Sequence, residues 1–200
     1  MRSAAKPIKN LVRNGHSAST ALLLIDVINP LDFPGSKQLA ARIRPTVARI
    51  RALSATARRK NIPVIYVNDN FGQWRSDFRK IIENCSRKHC PGHFLARQLK
   101  PHRNDYLIVK PKLSGFYQTP LELLLNSLKV RRLVMVGFAF NLCVLFTAGD
   151  AHMRDFRLCI PPDCVAGFNL GEEQHTLEQL KKYFKARLIC SDQPGIFGRG

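Results

Sequence analysis

Three reactive side chains stand just beyond short aliphatic runs. Asp26 follows Leu22-Leu23-Leu24-Ile25, and Lys110 follows Tyr106-Leu107-Ile108-Val109. Cys143 comes after Leu133-Val134-Met135-Val136 and a turn at Gly137. If those runs are parallel strands, all three groups lie on one rim of the sheet, where open α/β sheets bind ligands. A thiol, a carboxylate and an ammonium brought together suit nucleophilic acyl transfer. A cysteine opening a helix is offered partial positive charge by unpaired N–H groups, and Lys110 adds a full one, so both favour thiolate. Asp26 can take the thiol proton and pass it to a leaving amine. Gly137-Phe138-Ala139-Phe140-Asn141-Leu142 bends the backbone so that N–H groups face a developing oxyanion. Each residue alone has a plainer reading: a capping aspartate, a snorkelling lysine, a small buried thiol. Their convergence on one rim is what favours chemistry.

The elements that must position them alternate along the chain. Strand-like runs occur at Leu22–Val27, Val64–Asn68, Tyr106–Val109, Leu133–Val136, Arg157–Ile160 and Arg187–Ile189. Helical spacing fills Gln38–Arg59, Asp77–Asn84, Pro120–Leu128, Leu142–Arg154 and Glu172–Phe184. Pro45 is read near the start of the first helix, where proline costs least or sets a kink. Strands alternating with helices, and strands apolar almost throughout, imply a mainly parallel six-stranded sheet covered on both faces. The expected architecture is a Rossmann-like three-layer α/β/α domain over residues 20–200.

Residues 1–19 carry Arg2, Lys6, Lys9 and Arg13 and no acid. Pro7, Asn10, Asn14 and Gly15 break an amphipathic helix, so a loose basic arm is expected rather than a presequence. No apolar run is long enough to span a bilayer, so no membrane role is expected. Without a signal peptide, the six cysteines read as reduced thiols and the location as cytoplasmic. Cys85, His89, Cys90 and His93 match no common zinc spacing. The net charge of +18 is spread along the chain, with no nucleic-acid motif and no interleaved aromatic ladder. It reads as a solvated basic surface rather than a specific nucleic-acid site. No Gly-x-Gly-x-x-Gly motif points to a dinucleotide.

At its reactive residues the sequence resembles the isochorismatase-like cysteine hydrolases, a superfamily that includes nicotinamidases, N-carbamoylsarcosine amidohydrolases and ureidoacrylate hydrolases. The resemblance runs from about Ala21 to about Ser191. It is carried by Leu22–Asp26, Pro63–Asp69, Lys110–Phe116 with Thr119 and Leu121, Gly137–Asn141, Cys143-Val144, Thr147–Ala151 and Pro162–Ala166. It implies the isochorismatase-like fold, with Asp26 as general base, Lys110 as the cationic member and Cys143 as nucleophile. Lys112 competes, but Lys110 has the family's offset to Ser114 and Phe116. The resemblance also implies a cis peptide between Phe138 and Ala139, oxyanion donors at the N–H groups of Ala139 and Cys143, and a homo-oligomer.

Two departures modify that expectation. Phe140 stands where a small hydroxyl residue is common, which suggests a bulkier pocket wall. Asp69-Asn70-Phe71-Gly72 replaces the ligand cluster of metal-dependent nicotinamidases, so neither a metal nor another cofactor is expected. The expected pocket residues are Asn29, Phe33, Asn70, Trp74, Phe116, Tyr117 and Phe138, with an aromatic ring stacking on a flat small-molecule substrate. The expected activity is C–N bond hydrolysis of a small amide, carbamoyl or ureide compound through a thioester. The rivals are an isochorismatase-type vinyl-ether hydrolase and a non-catalytic basic binding protein. The cysteine favours attack on an acyl carbon over the vinyl ether.

Overall fold

A computed structural model of the chain describes residues 19–75 and 77–198. The basic arm, except Ser19, lies outside the described residues.

Six strands form one sheet: β1 (Thr20–Ile25), β2 (Val64–Asp69), β3 (Tyr106–Lys110), β4 (Arg132–Gly137), β5 (Arg157–Ile160) and β6 (Arg187–Leu188). Their order is β3-β2-β1-β4-β5-β6, and every pairing is parallel. The order reverses between β1 and β4, so loops leaving those two neighbours diverge and open a crevice at the carboxyl ends.

Strand residues alternate between two apolar clusters. Leu22 and Leu24 of β1, with Val134 and Val136 of β4, face one. Ala21, Leu23 and Ile25, with Leu133 and Met135, face the other. Every β1 residue is buried, which explains why the run reads as continuously apolar. The first cluster is closed by α1 (Ser36–Arg59), α2 (Phe78–Cys85) and α3 (His93–Gln98). The second is closed by α4 (Leu121–Ser127), α5 (Leu145–His152) and α6 (Leu170–Lys182). Among the described residues, no helix is long and apolar enough to cross a membrane.

Helix starts follow local chemistry. Asp77 caps α2 by accepting from the Lys80 amide at 2.9 Å, and Asn169 caps α6 by accepting from Glu172 at 2.9 Å. The sequence reading departs from the structure in three places. α1 begins at Ser36, after Gly35 in a left-handed conformation, so Pro45 lies in the helix interior. α3 is missed because its six residues, His93-Phe94-Leu95-Ala96-Arg97-Gln98, are too few to show a period. The expected helix Leu142–Arg154 is two pieces: a π-turn over Phe140–Val144, then α5.

Candidate active site

Asp26 is the first residue past β1. Its backbone is left-handed, with φ of 51°, and its amide donates to the Val67 carbonyl at 3.0 Å. This turn leaves the carboxylate buried, its Oδ1 accepting from the Asp69 amide at 2.6 Å. Lys110, the last residue of β3, is wholly buried. Its ammonium lies 3.0 Å from Asp26 Oδ2, 3.2 Å from Asp69 Oδ2 and 3.3 Å from Cys143 Sγ, and donates to the Lys112 carbonyl at 3.1 Å. A buried ammonium is stable only with such partners. Thus Asp26, Lys110 and Cys143 meet around one nitrogen atom. Lys112 contributes only its carbonyl to that set.

Cys143 rides on the π-turn. Gly137, φ 127°, allows the turn to start, because a Cβ there would fall 2.0 Å from the Ile25 carbonyl oxygen. The Phe138–Ala139 peptide is cis. Thr147 Oγ1 donates to the Cys143 carbonyl at 2.6 Å and accepts from the Gly115 amide at 3.0 Å. One hydroxyl therefore ties the turn that carries Cys143 to the loop that follows Lys110.

The electrostatics revise one expectation. Burial pushes the Cys143 thiol well above its ordinary value, and Asp26 pushes the same way against Lys110. Burial also raises Asp26, opposed by Lys110 and by its hydrogen bond with Cys143. Burial alone would lower Lys110, but the neighbouring Asp26, Cys143 and Asp69 raise it overall. Burial and Asp26 thus favour the neutral thiol, while the acidic groups around Lys110 favour its charged form. A standing thiolate, expected from the helix end and Lys110, is not favoured. The helix-end contribution also weakens, since α5 begins at Leu145, beyond the cysteine.

Asp69 is the residue that sequence reasoning missed. It ends β2, and its Oδ1 accepts from the Phe71 amide at 2.6 Å while Oδ2 faces Lys110. Asp69 directly follows the run Val64–Asn68, so the strand-end rule that points to Asp26 and Lys110 points to it as well. Asn68, fully buried, holds the loop after β1: its Oδ1 accepts from the Ile28 amide at 3.1 Å and its Nδ2 donates to the Ile28 carbonyl at 2.8 Å.

The expected pocket residues separate. Phe138 is fully buried in the first cluster. Phe116 is buried in the second, 5.9 Å from the Phe156 ring and beneath the Arg154 guanidinium at 4.9 Å. Their rings are core, which corrects their reading as pocket wall. Phe140 is likewise core, so its bulk fills the interior rather than thickening a wall. Trp74 and Tyr117 are 76% and 53% exposed, too open to enclose a substrate within one chain. Asn29 and Asn70 are buried, their Oδ1 atoms accepting from Leu31 and Gly72 amides at 2.9 Å each. Phe33 packs partly buried against the first cluster. A cavity of about 460 Å³ opens on the same rim, lined by Pro30 and Asp32 after β1, Phe71 and Gln73 after β2, and Cys85 and Cys90.

The isochorismatase domain model matches residues 20–193. The chain belongs to the isochorismatase family. It is 35% identical to the uncharacterised isochorismatase family protein YaaI of Bacillus subtilis over 88% of this chain and 96% of that one. It is 29% identical to the ureidoacrylate amidohydrolase RutB of Methylobacterium radiotolerans over 70% of this chain and 64% of that one. Among solved structures it resembles the N-carbamoylsarcosine amidase of Thermoplasma acidophilum, with TM-score 0.66, 27% identity and coverage of 87% and 97%. The nicotinamidase of Staphylococcus aureus, at 20% identity and TM-score 0.65 over 85% and 99%, shares the fold. As a member of the isochorismatase family, the chain is a hydrolase.

Proposed function

We propose that this isochorismatase-family protein hydrolyses a C–N bond of a small amide, carbamoyl or ureide compound through a thioester on Cys143. The observation that carries the reading is the Lys110 ammonium, held 3.3 Å from Cys143 Sγ and 3.0 Å from Asp26 Oδ2. The named activities of the amidohydrolase relatives support the bond class.

With burial and Asp26 both favouring the neutral thiol, attack and deprotonation occur together. Asp26 takes the proton as sulfur adds to the carbonyl carbon, and Lys110 stabilises the charge that builds on sulfur. The N–H groups of Ala139 and Cys143 receive the oxyanion. Collapse breaks the C–N bond, and Asp26 returns the proton to the departing nitrogen. Water then adds to the thioester with its proton going to Asp26. The second collapse expels Cys143 sulfur, which recovers that proton, and releases the acid. The substrate is small and enters at the carboxyl rim, where the 460 Å³ cavity can take its distal part.

An ammonia-release screen over small amides, carbamoyl compounds and ureides tests the reading, with Cys143→Ala as control. Turnover that vanishes in the variant, with a substrate-derived acyl mass trapped on Cys143, supports it. Equal turnover by wild type and Cys143→Ala refutes it.

A further inference from the structure

β4, β5 and β6 each begin with an arginine: Arg132, Arg157 and Arg187. Arg132 pairs in register with Arg157, and Arg187 pairs with Cys159, two residues further along β5. A spacing of two keeps all three side chains on the same sheet face. They stand at the amino ends of the strands, about 17 Å along β4 from the catalytic rim. A cavity of about 290 Å³ opens there around the amino edge of the sheet: the arginines come from the face of the first cluster, Phe156, Leu158 and Phe184 from that of the second, and Lys185, His152 and one carboxylate residue, Asp155, complete the lining.

Arg132 is 6% exposed, and both terminal nitrogens of its guanidinium are buried without a hydrogen-bond partner. None of the seven ion pairs among the described residues includes Arg132, Arg157, Lys185 or Arg187. Burial pushes the Cys159 thiol up, and the Arg132 and Arg187 cations oppose that rise. A thiol is a weak acceptor and would leave most of the guanidinium's donors unused. A buried, unpaired guanidinium is among the costliest groups a fold can keep.

We propose that this cavity is a second, non-catalytic site that binds a phosphomonoester, with Arg132, Arg157 and Arg187 around the phosphate and Phe156, Leu158 and Phe184 against its apolar body. Planar guanidiniums match the oxygens of a phosphate in paired hydrogen bonds, which an isolated point charge cannot do. Four cationic residues against one carboxylate favour a dianion over a monocarboxylate. The volume admits a small molecule and excludes a folded polymer. The site stands apart from the thiol chemistry, so its test is independent of the proposed hydrolysis.

The experiment is titration calorimetry of the full chain at fixed ionic strength, with inorganic phosphate and phenyl phosphate as probes. One saturable site per chain is expected, with phenyl phosphate binding more tightly. The exposed pair Arg157→Gln/Arg187→Gln should weaken both probes about tenfold or more, as loss of charge-assisted hydrogen bonds requires. The control pair Arg79→Gln/Lys181→Gln removes the same charge elsewhere on the exposed surface and should leave binding within about twofold. Arg132→Met should remain folded and lose the rise in melting temperature that phenyl phosphate gives the wild type. Absence of saturable binding, equal weakening by both pairs, or equal affinity for the two probes would overturn the proposal. If Arg132→Met does not fold, the two exposed pairs decide the matter.

Discussion

Asp26→Asn should slow turnover and at the same time speed alkylation of Cys143. The two effects come from one carboxylate. In the proposed mechanism it is the general base, a role worth about 10²–10⁴-fold in turnover, and the amide cannot replace it. As a charge it opposes the thiolate, because burial and Asp26 both hold the thiol protonated. Asp26 Oδ2 and Cys143 Sγ lie 3.0 and 3.3 Å from the same Lys110 nitrogen. For two unit charges about 4 Å apart at an effective dielectric of about 20, such repulsion is roughly 4 kcal/mol, and it disfavours the thiolate. Asp69 stays beside Lys110 and the site relaxes, so part of that is recovered. A rise in iodoacetamide rate of about tenfold or more should survive. The assay pairs steady-state turnover with alkylation mapped to Cys143 by mass spectrometry, and a melting curve confirms the fold. Alkylation slowed in step with turnover would mean that Asp26 merely shapes the site. Near-native turnover would remove it from the mechanism.

The same electrostatics set the acid limb of the pH profile. Burial raises Asp26, so its basic form is lost on acidification at a higher pH than for an exposed carboxylate; kcat/KM should fall there, and an acid limb at or below the ordinary aspartate range would contradict the burial argument. Double variants among Asp26→Asn, Lys110→Ala and Cys143→Ala should be scarcely worse than the worst single one, because the three groups share one nitrogen's hydrogen bonds; multiplicative losses would show that they act separately. Chelator dialysis should leave turnover unchanged, since Asp69 already serves Lys110 and the Phe71 amide, and activity lost and then restored by zinc, iron or manganese would refute this. Phe146 on α5, Met153 at its C-terminal cap and Leu123 on α4 are 51%, 73% and 74% exposed, so a homo-oligomer burying them is expected by sedimentation; a fully active monomer would refute it.

Strand positions were readable to within a residue or two because a sheet covered on both faces demands unbroken apolar runs. Applied to those runs, the carboxyl-end rule points to Asp26 and Lys110. Cys143 needed the turn at Gly137 as well, and its π-turn was not foreseen because it has no side-chain period of its own. Asp69, next after the run Val64–Asn68, satisfies the same rule and was overlooked, while α3 is too short to show a period.

What the chain's order of residues determined by itself was the sheet, its layers and which reactive side chains share a rim. These follow from local periodicity and from the rule that strands end where ligands bind. Only the tertiary structure decided the state of the groups there. Whether Cys143 is a thiol or a thiolate depends on how deeply it is buried and on which charges surround it, and both are set by segments more than a hundred residues apart. The same holds for Phe116 and Phe138, whose aromatic character is visible in the sequence but whose core-facing directions come from packing. It holds for Arg132 too: one arginine among many in the sequence, it is singled out by the fold, which buries it and leaves its two terminal nitrogens without a partner.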